Sequence, residues 1–217
     1  MLVIFDCDGV IVDSETIAAE VFAEHLQKLD LNVSAQECFD RFKGYSMKSC
    51  MKQLIEMLGG PIPSHFLTAM QEDTFNRFQS DLKAINGVEF AIDQLELAGW
   101  RTCIASGGSH GKMRVTLGKT GLWDRFAGRI YSAVDVANGK PAPDIFLHAA
   151  KEQHAAIEDC VVIEDSQAGV EAAIAAGMKV CFFDPEGQGL RNQELLQRPG
   201  VYQFCQMEQL PQLLKMV

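Results

Sequence analysis

The chain has no CxxC pair, no run of basic residues, no apolar stretch of membrane-spanning length, no internal repeat and no low-complexity tract. Each absence removes a class. The cysteines number seven, an odd and scattered set. Cys7, Cys103, Cys160 and Cys181 lie in or beside apolar, strand-like runs, where cysteine acts as a small hydrophobe. Reduced thiols in the cytosol are therefore expected, rather than a disulfide framework or a zinc ribbon. The net charge of −10 with no basic run argues against nucleic acid or an acidic membrane surface as partner. An acidic protein still binds an anion where its site concentrates positive charge. Met1 is not followed by the basic start and long apolar core of a secretory leader, so a cytoplasmic location is expected. A length of 217 residues suits one domain with an insertion, or two modest domains.

What is present begins at once. The N-terminal LVIFDCDGVIVDSE runs apolar residues straight into Asp6, Asp8 and Asp13. Leu2 to Phe5 reads as a fully buried parallel strand, whose carboxyl end is where ligands bind in open α/β sheets. Two carboxylates this close repel, and one takes up a proton unless a metal or a basic group holds it ionised. Gly9 lets the chain turn sharply against a bound group. The segment reads as a Mg²⁺ and phosphate site with one aspartate as nucleophile; an aspartate-rich turn is the alternative.

Helical spacing follows over Ile17, Val21, Phe22, Leu26 and Leu29. Phe39 and Phe42 mark a second helix stopping at Gly44. A third, capped by Ser46, carries Met47, Met51, Leu54, Ile55 and Leu58, and a fourth spans Phe66 to Phe78. That is too much helix for one crossover and predicts an inserted helical domain over 15–81, leaving 1–14 and 82–217 as the core. From Gly87 the pattern alternates. Val88–Ala98, His110–Leu117, Pro143–Gln153 and Val170–Ala176 read as helices. Arg101–Ala105, Ile130–Ser132, Cys160–Ile163 and a final Val180–Phe183 read as strands. Strand-then-helix units imply a parallel sheet with helices on both faces.

Four polar sets follow a predicted strand or precede a helix: Asp6 and Asp8; Ser106 with Gly107 and Gly108; Lys140 in GKPAPDIF; and Glu164-Asp165. Parallel strands bring such residues to one sheet edge. There they offer carboxylates for Mg²⁺, a nucleophile, a hydroxyl with backbone N–H groups for phosphate oxygens, and a lysine for developing charge. Each has a plainer reading. Ser106 can start a helix, Lys140 can sit solvated in a turn, and Glu164-Asp165 can favour the next helix's N-terminus. Asp13 and Asp184 read as structural or loop-capping. The coincidence of all four sets is what the plainer readings leave unexplained.

DCDGVIVDSE, the hydroxyl-ended second strand, KPAPDIF and EDSQAGVEAAIAAG together resemble the haloacid dehalogenase superfamily, in its order and spacing and over essentially the whole chain. The closer likeness is to small-molecule phosphatases related to β-phosphoglucomutase. RFKG, GKM and LGKTGL are similar to the branch that includes 6-phosphogluconate phosphatase. The resemblance implies an α/β fold, a Rossmann-like doubly wound parallel sheet with an all-helical cap inserted. It implies Asp6 as nucleophile, Asp8 as general acid and then base, and Lys140 as counter-charge. Ser106 and the Gly107 N–H would bind phosphate. Mg²⁺ would be held by Asp6, Asp165 and the Asp8 carbonyl, with Glu164 assisting directly or through water.

In the cap loop, Lys43 and Ser46 are candidates for substrate contact; a basic helix end followed by a capped helix is the alternative. The roles of His110 and Lys112 stay open. The expected function is a Mg²⁺-dependent phosphomonoesterase acting on a small phosphorylated metabolite, a sugar or sugar-acid phosphate, as a monomer. A sugar phosphomutase is the alternative, but the mutase histidine falls at Ala18 and the mutase cap arginine at Met47. A non-catalytic phosphometabolite-binding protein is the remote alternative, and the retention of both Asp6 and Asp8 speaks against it.

Overall fold

The computed structural model describes residues 1–42 and 47–217, with the side chains of Met47, Lys48 and Ser49 left undescribed. Lys43 and Ser46 lie outside the described residues.

Leu2–Phe5 forms strand β1, with every residue buried, as its unbroken apolar run requires. It is flanked by β2 (Arg101–Ser106) and β4 (Cys160–Glu164). Outside these lie β3 (Ile130–Ser132) and β5 (Lys179–Phe183), and β6 (Val201–Phe204) closes the far edge. The order is β3-β2-β1-β4-β5-β6 and each neighbouring pair is parallel. The carboxyl ends of all the strands therefore share one edge, with Phe5 level with Ile104 on one side and Ile163 on the other.

The sequence reading ended the sheet at Val180–Phe183; the structure adds β6, paired along β5 from Val180↔Val201 to Phe183↔Phe204. This edge strand buries only Phe204 fully and leaves Gln203 exposed, so it lacks the apolar run that marks a central strand. Helices α5 (Val88–Leu97), α6 (His110–Lys119), α7 (Asp144–Glu152), α8 (Gln167–Ala175) and α9 (Leu210–Leu214) accompany the sheet. One face packs Leu2, Ile4, Cys103, Val162 and Val180 against Ile145 and Phe146 of α7 and Val170 and Ala173 of α8. Residues of the opposite parity, Val3, Phe5, Ile104, Val161 and Ile163, are also fully buried. Both faces are covered, as an all-parallel sheet demands.

The chain divides into two compact units, residues 1–12 with 83–217, and residues 13–82. The second unit contains α1 (Ser14–Gln27), α2 (Ala35–Phe42), α3 (Met47–Leu58) and α4 (Phe66–Asp81). Within it α1 packs on α2 and α4. The Phe22 ring lies 4.7 Å from Phe42 and 6.2 Å from Phe66. Arg77 of α4 reaches Glu20 at 3.0 Å and Glu24 at 3.2 Å on α1. These pairs are solvent-exposed, so the aromatic cluster, not the ion pairs, holds this unit together. No described helix is long and apolar enough to cross a membrane.

Ile4 on the central strand is completely buried. Ile4→Ala is expected to lower the unfolding free energy by about 2–5 kcal/mol, through lost apolar burial and the cavity left behind. Urea denaturation followed by circular dichroism measures it; an unchanged midpoint would contradict this placement of the core.

Candidate active site

Asp6 immediately follows β1, and its N–H donates to the Ile163 carbonyl at 2.9 Å, carrying the β1–β4 ladder one step past the strand. Lys140 arrives from the turn before α7, where the Lys140–Pro141 peptide is cis. Its ammonium donates to Asp6 Oδ1 at 2.5 Å, Glu164 Oε1 at 2.6 Å and the Ala105 carbonyl at 3.3 Å. Three protons meet the ends of three adjacent strands, β1, β4 and β2. The Phe146 ring lies 4.9 Å from the same nitrogen and covers it. A solvated turn lysine is thereby excluded: the side chain is only 10% exposed.

The Asp6 carboxyl is raised to about 7, chiefly by burial, with Lys140 opposing the rise and Glu164 and Asp8 adding to it. Burial also works against the Lys140 charge, but Asp6 and Glu164 outweigh it and hold the ammonium above the ordinary lysine range. Lys140 thus stays charged. One ammonium shared by two buried carboxylates leaves Asp6 harder to ionise than a surface aspartate.

Glu164 is engaged by the protein through both oxygens. Its Oε1 takes Lys140, and its Oε2 accepts both the N–H and the hydroxyl of Ser166 at 2.9 Å each. Both oxygens are committed to the protein, and the residue is almost fully buried. Gly169 makes room for it, since a Cβ there would overlap the carboxylate. Ser166 in turn accepts the Gly169 N–H at 3.1 Å and caps α8.

Asp165 is buried against the opening turn: a Cβ on Gly9 would overlap its carboxylate, and Gly9 has φ +75°. Only glycine fits both the conformation and the approach. The turn is closed by Gly9 N–H to the Val12 carbonyl and Ile11 N–H to the Cys7 carbonyl, each 2.9 Å. Among the described residues no three acidic, histidine or cysteine side chains converge as a preformed metal cage. The oxygens on offer are the carboxylates of Asp6, Asp165 and Glu164 and the Asp8 carbonyl, a hard set that suits Mg²⁺ completed by water and substrate oxygens. A divalent cation would supply the positive charge that buried Asp6 needs to ionise. The residues present fit such an ion.

Ser106 ends β2 and is buried, while Gly107 beside it is exposed. The N-cap of α6 is Ser109, which accepts the Lys112 N–H at 3.3 Å. Ser106 is therefore not used as the helix cap. Its Oγ accepts the Gly108 N–H at 3.0 Å. Lys112 pairs with Asp8 at 2.8 Å. Burial opposes the Lys112 charge, but Asp8, Cys7 and Asp6 outweigh it and raise its pKa. A Cβ on Gly108 would meet the Ser106 hydroxyl at 3.3 Å, the Lys112 stem at 3.5 Å and the Asp8 carboxylate at 3.6 Å. These three groups thus converge on one point.

His110 turns instead to Asp135, with contacts of 2.9 and 3.0 Å. Asp13 precedes α1 without making a side-chain cap. Asp184 caps its loop, accepting the Gln188 and Gly189 N–H groups at 3.0 and 2.8 Å and the Gln203 amide at 2.7 Å. Sequence reasoning missed Ser166, Ser132 and Asp135. Ser132 and Asp135 form the S-x-x-D capping box of a short turn after β3, a spacing the sequence displays.

Residues 3–183 match the family model described as haloacid dehalogenase-like hydrolase. The 6-phosphogluconate phosphatase of Escherichia coli K12 is 30% identical over 98% of this chain and 94% of its own. A haloacid dehalogenase-like protein of unknown function from Agrobacterium tumefaciens superposes with a TM-score of 0.87 at 35% identity, covering 99% of this chain and 97% of its own. A hydrolase of the same family from Deinococcus radiodurans, solved with bound phosphate and sodium, gives 0.80 at 29% identity, covering 94% and 90%. The chain belongs to the haloacid dehalogenase-like hydrolases.

Proposed function

We propose that this chain hydrolyses the phosphate monoester of a small sugar or sugar acid, with Mg²⁺ bound, through an aspartyl-phosphate formed on Asp6. One observation carries the reading: Lys140 is buried between Asp6 and Glu164, at 2.5 and 2.6 Å, from a loop far away in the chain. A lysine held this way costs too much desolvation for a surface turn, and it stands where charge develops during phosphoryl transfer.

Lys140 engages Asp6 Oδ1, and Oδ2 is the oxygen we assign to attack on phosphorus. As the Asp6–phosphorus bond forms, the bond to the ester oxygen breaks, and the Asp8 carboxyl gives its proton to that oxygen. Asp8 then takes a proton from water, whose oxygen attacks phosphorus, and the Asp6–phosphorus bond breaks to release phosphate. Ser106 already accepts from Gly108, so its own proton is available to a phosphate oxygen. The Gly107 N–H is assigned to another. Asp6, Asp165 and the Asp8 carbonyl would hold Mg²⁺, which supplies Lewis-acid polarisation of a phosphoryl oxygen and offsets the carboxylate charge.

Lys43 and Ser46 are the residues we assign to contact with the substrate beyond its phosphate. The relative named 6-phosphogluconate phosphatase supports a sugar-acid phosphate. Ala18, where the resembling mutases carry histidine, favours transfer to water over transfer to a second sugar hydroxyl.

Asp6→Asn is expected to reduce phosphate release at least about a thousandfold, because the nucleophile itself is lost. A wild-type rate in that variant would sink the mechanism. Chelation by EDTA is expected to abolish release, and added MgCl₂ to restore it; turnover that survives chelation would exclude the ion from the reaction. Lys140→Ala leaves two buried carboxylates facing each other. It is expected to cost about 3–5 kcal/mol in urea unfolding besides abolishing turnover. The assay panel contains 6-phosphogluconate, hexose phosphates and β-glucose 1-phosphate. Isomer interconversion stimulated by a bisphosphate, with little free phosphate, would instead identify a mutase.

A further inference from the structure

The Ser106–Gly107–Gly108 segment has a difficulty that its composition creates. Two consecutive glycines have no side chains to pack, so the segment has more conformational freedom to lose than any other dipeptide. Phosphate-binding N–H groups act well only when they are already aimed. Something must hold them.

The neighbouring strand supplies it. Ser132, the last residue of β3, lies level with Ser106 in the parallel register and is completely buried. Its hydroxyl donates to the Gly108 carbonyl at 2.6 Å and accepts the Val134 N–H at 3.3 Å. Its own N–H donates to Asp135 Oδ2 at 2.8 Å. The same oxygen lies 2.9 Å from His110 Nε2, on the first turn of α6. Gly108 is thereby fixed at both ends, its N–H given to Ser106 Oγ at 3.0 Å and its carbonyl to Ser132. The bonds run in one line, His110–Asp135–Ser132–Gly108–Ser106, from the partly exposed imidazole to the buried hydroxyl.

We propose that Ser132 and Asp135 are positioning residues for phosphate, holding the Gly107–Gly108 segment so that the Ser106 hydroxyl and the Gly107 N–H are aimed before any ligand arrives. This rests on the reading of Ser106 and Gly107 as the phosphate cradle. Without the Ser132 hydroxyl, the partly buried Gly108 carbonyl loses its donor. The segment then relaxes, and phosphate binding pays the ordering entropy that the brace had already met.

The test combines isothermal titration of the folded protein with inorganic phosphate in MgCl₂, thermal melting, and steady-state phosphate release. Ser132→Ala is expected to weaken phosphate binding about five- to tenfold and to lower kcat/KM to a similar extent. Asp135→Ala, which is partly exposed and spares the core, is expected to weaken binding about threefold. Asp135→Asn keeps an oxygen for the Ser132 N–H and is expected to recover most of that loss. Should Ser132→Ala fail to fold, the two Asp135 variants carry the test alone. A purely structural role would lower the melting temperature while leaving the phosphate Kd and kcat/KM of the folded variants unchanged, and that result would overturn the proposal. Absence of both phosphate binding and phosphate release in the wild-type protein would overturn the cradle reading, and this inference with it.

Discussion

A buried ammonium shared by two buried carboxylates organises this protein. Lys140 can remain charged out of water only if its protons are all received, and it meets that need at the ends of three neighbouring strands: Ala105, Asp6 and Glu164. The interaction is demanding because each ion has lost its hydration, so an error in any one position leaves an uncompensated charge. It therefore ties the β1, β2 and β4 ends and the loop before α7 into a single arrangement. The same arrangement fixes the Asp6 carboxyl by one oxygen. A charge cluster of this kind does not serve stability cheaply, and an apolar plug of the same volume would suit a purely structural sheet edge as well or better.

Glycines make the second contribution, by what they leave out. Gly9 and Gly169 each stand where a Cβ would overlap a carboxylate, that of Asp165 and that of Glu164. Both acidic groups therefore lie directly against backbone. Glu164 illustrates how position at the strand end divides labour. Its neighbour in sequence, Asp165, rests on the opening turn beside Gly9, while Glu164 is consumed by Lys140 and Ser166. Adjacent residues at a strand end point in different directions, so the two acids meet different neighbours.

The opposite side of the site is built from hydroxyls and a lysine. Ser109, not Ser106, takes the helix-capping duty, and that division leaves Ser106 at the strand end. Lys112 then folds back from the first turn of α6 to Asp8, bringing a second ammonium to the same edge. A chain with a net charge of −10 thus gathers two buried or half-buried lysines around its acidic turn. Their positive charge is local and stands against the sign of the chain as a whole.

Much of this was legible in the residues alone. Leu2 to Phe5 has a composition that only a doubly covered central strand satisfies, and the strand-then-helix alternation from Gly87 leaves few topologies besides a parallel sheet. A parallel sheet brings strand ends to one edge by geometry, which is why Asp6, Ser106 and Glu164-Asp165 were recognisable as one group before any distance was known. β6 was not legible: an edge strand with only Phe204 fully buried lacks the apolar run that identifies its neighbours. Nor were the partners of individual side chains. Lys140 has the turn composition of a solvated lysine, His110 and Lys112 sit two residues apart on one turn yet bind Asp135 and Asp8, and nothing in the sequence pairs Glu164 with both Lys140 and Ser166. Residue pattern alone settles the central elements, their order and the edge at which polar residues collect, because periodicity and burial are local and repetitive. Which donor meets which acceptor emerges on folding, because that depends on side-chain direction and on groups contributed by segments remote in the chain.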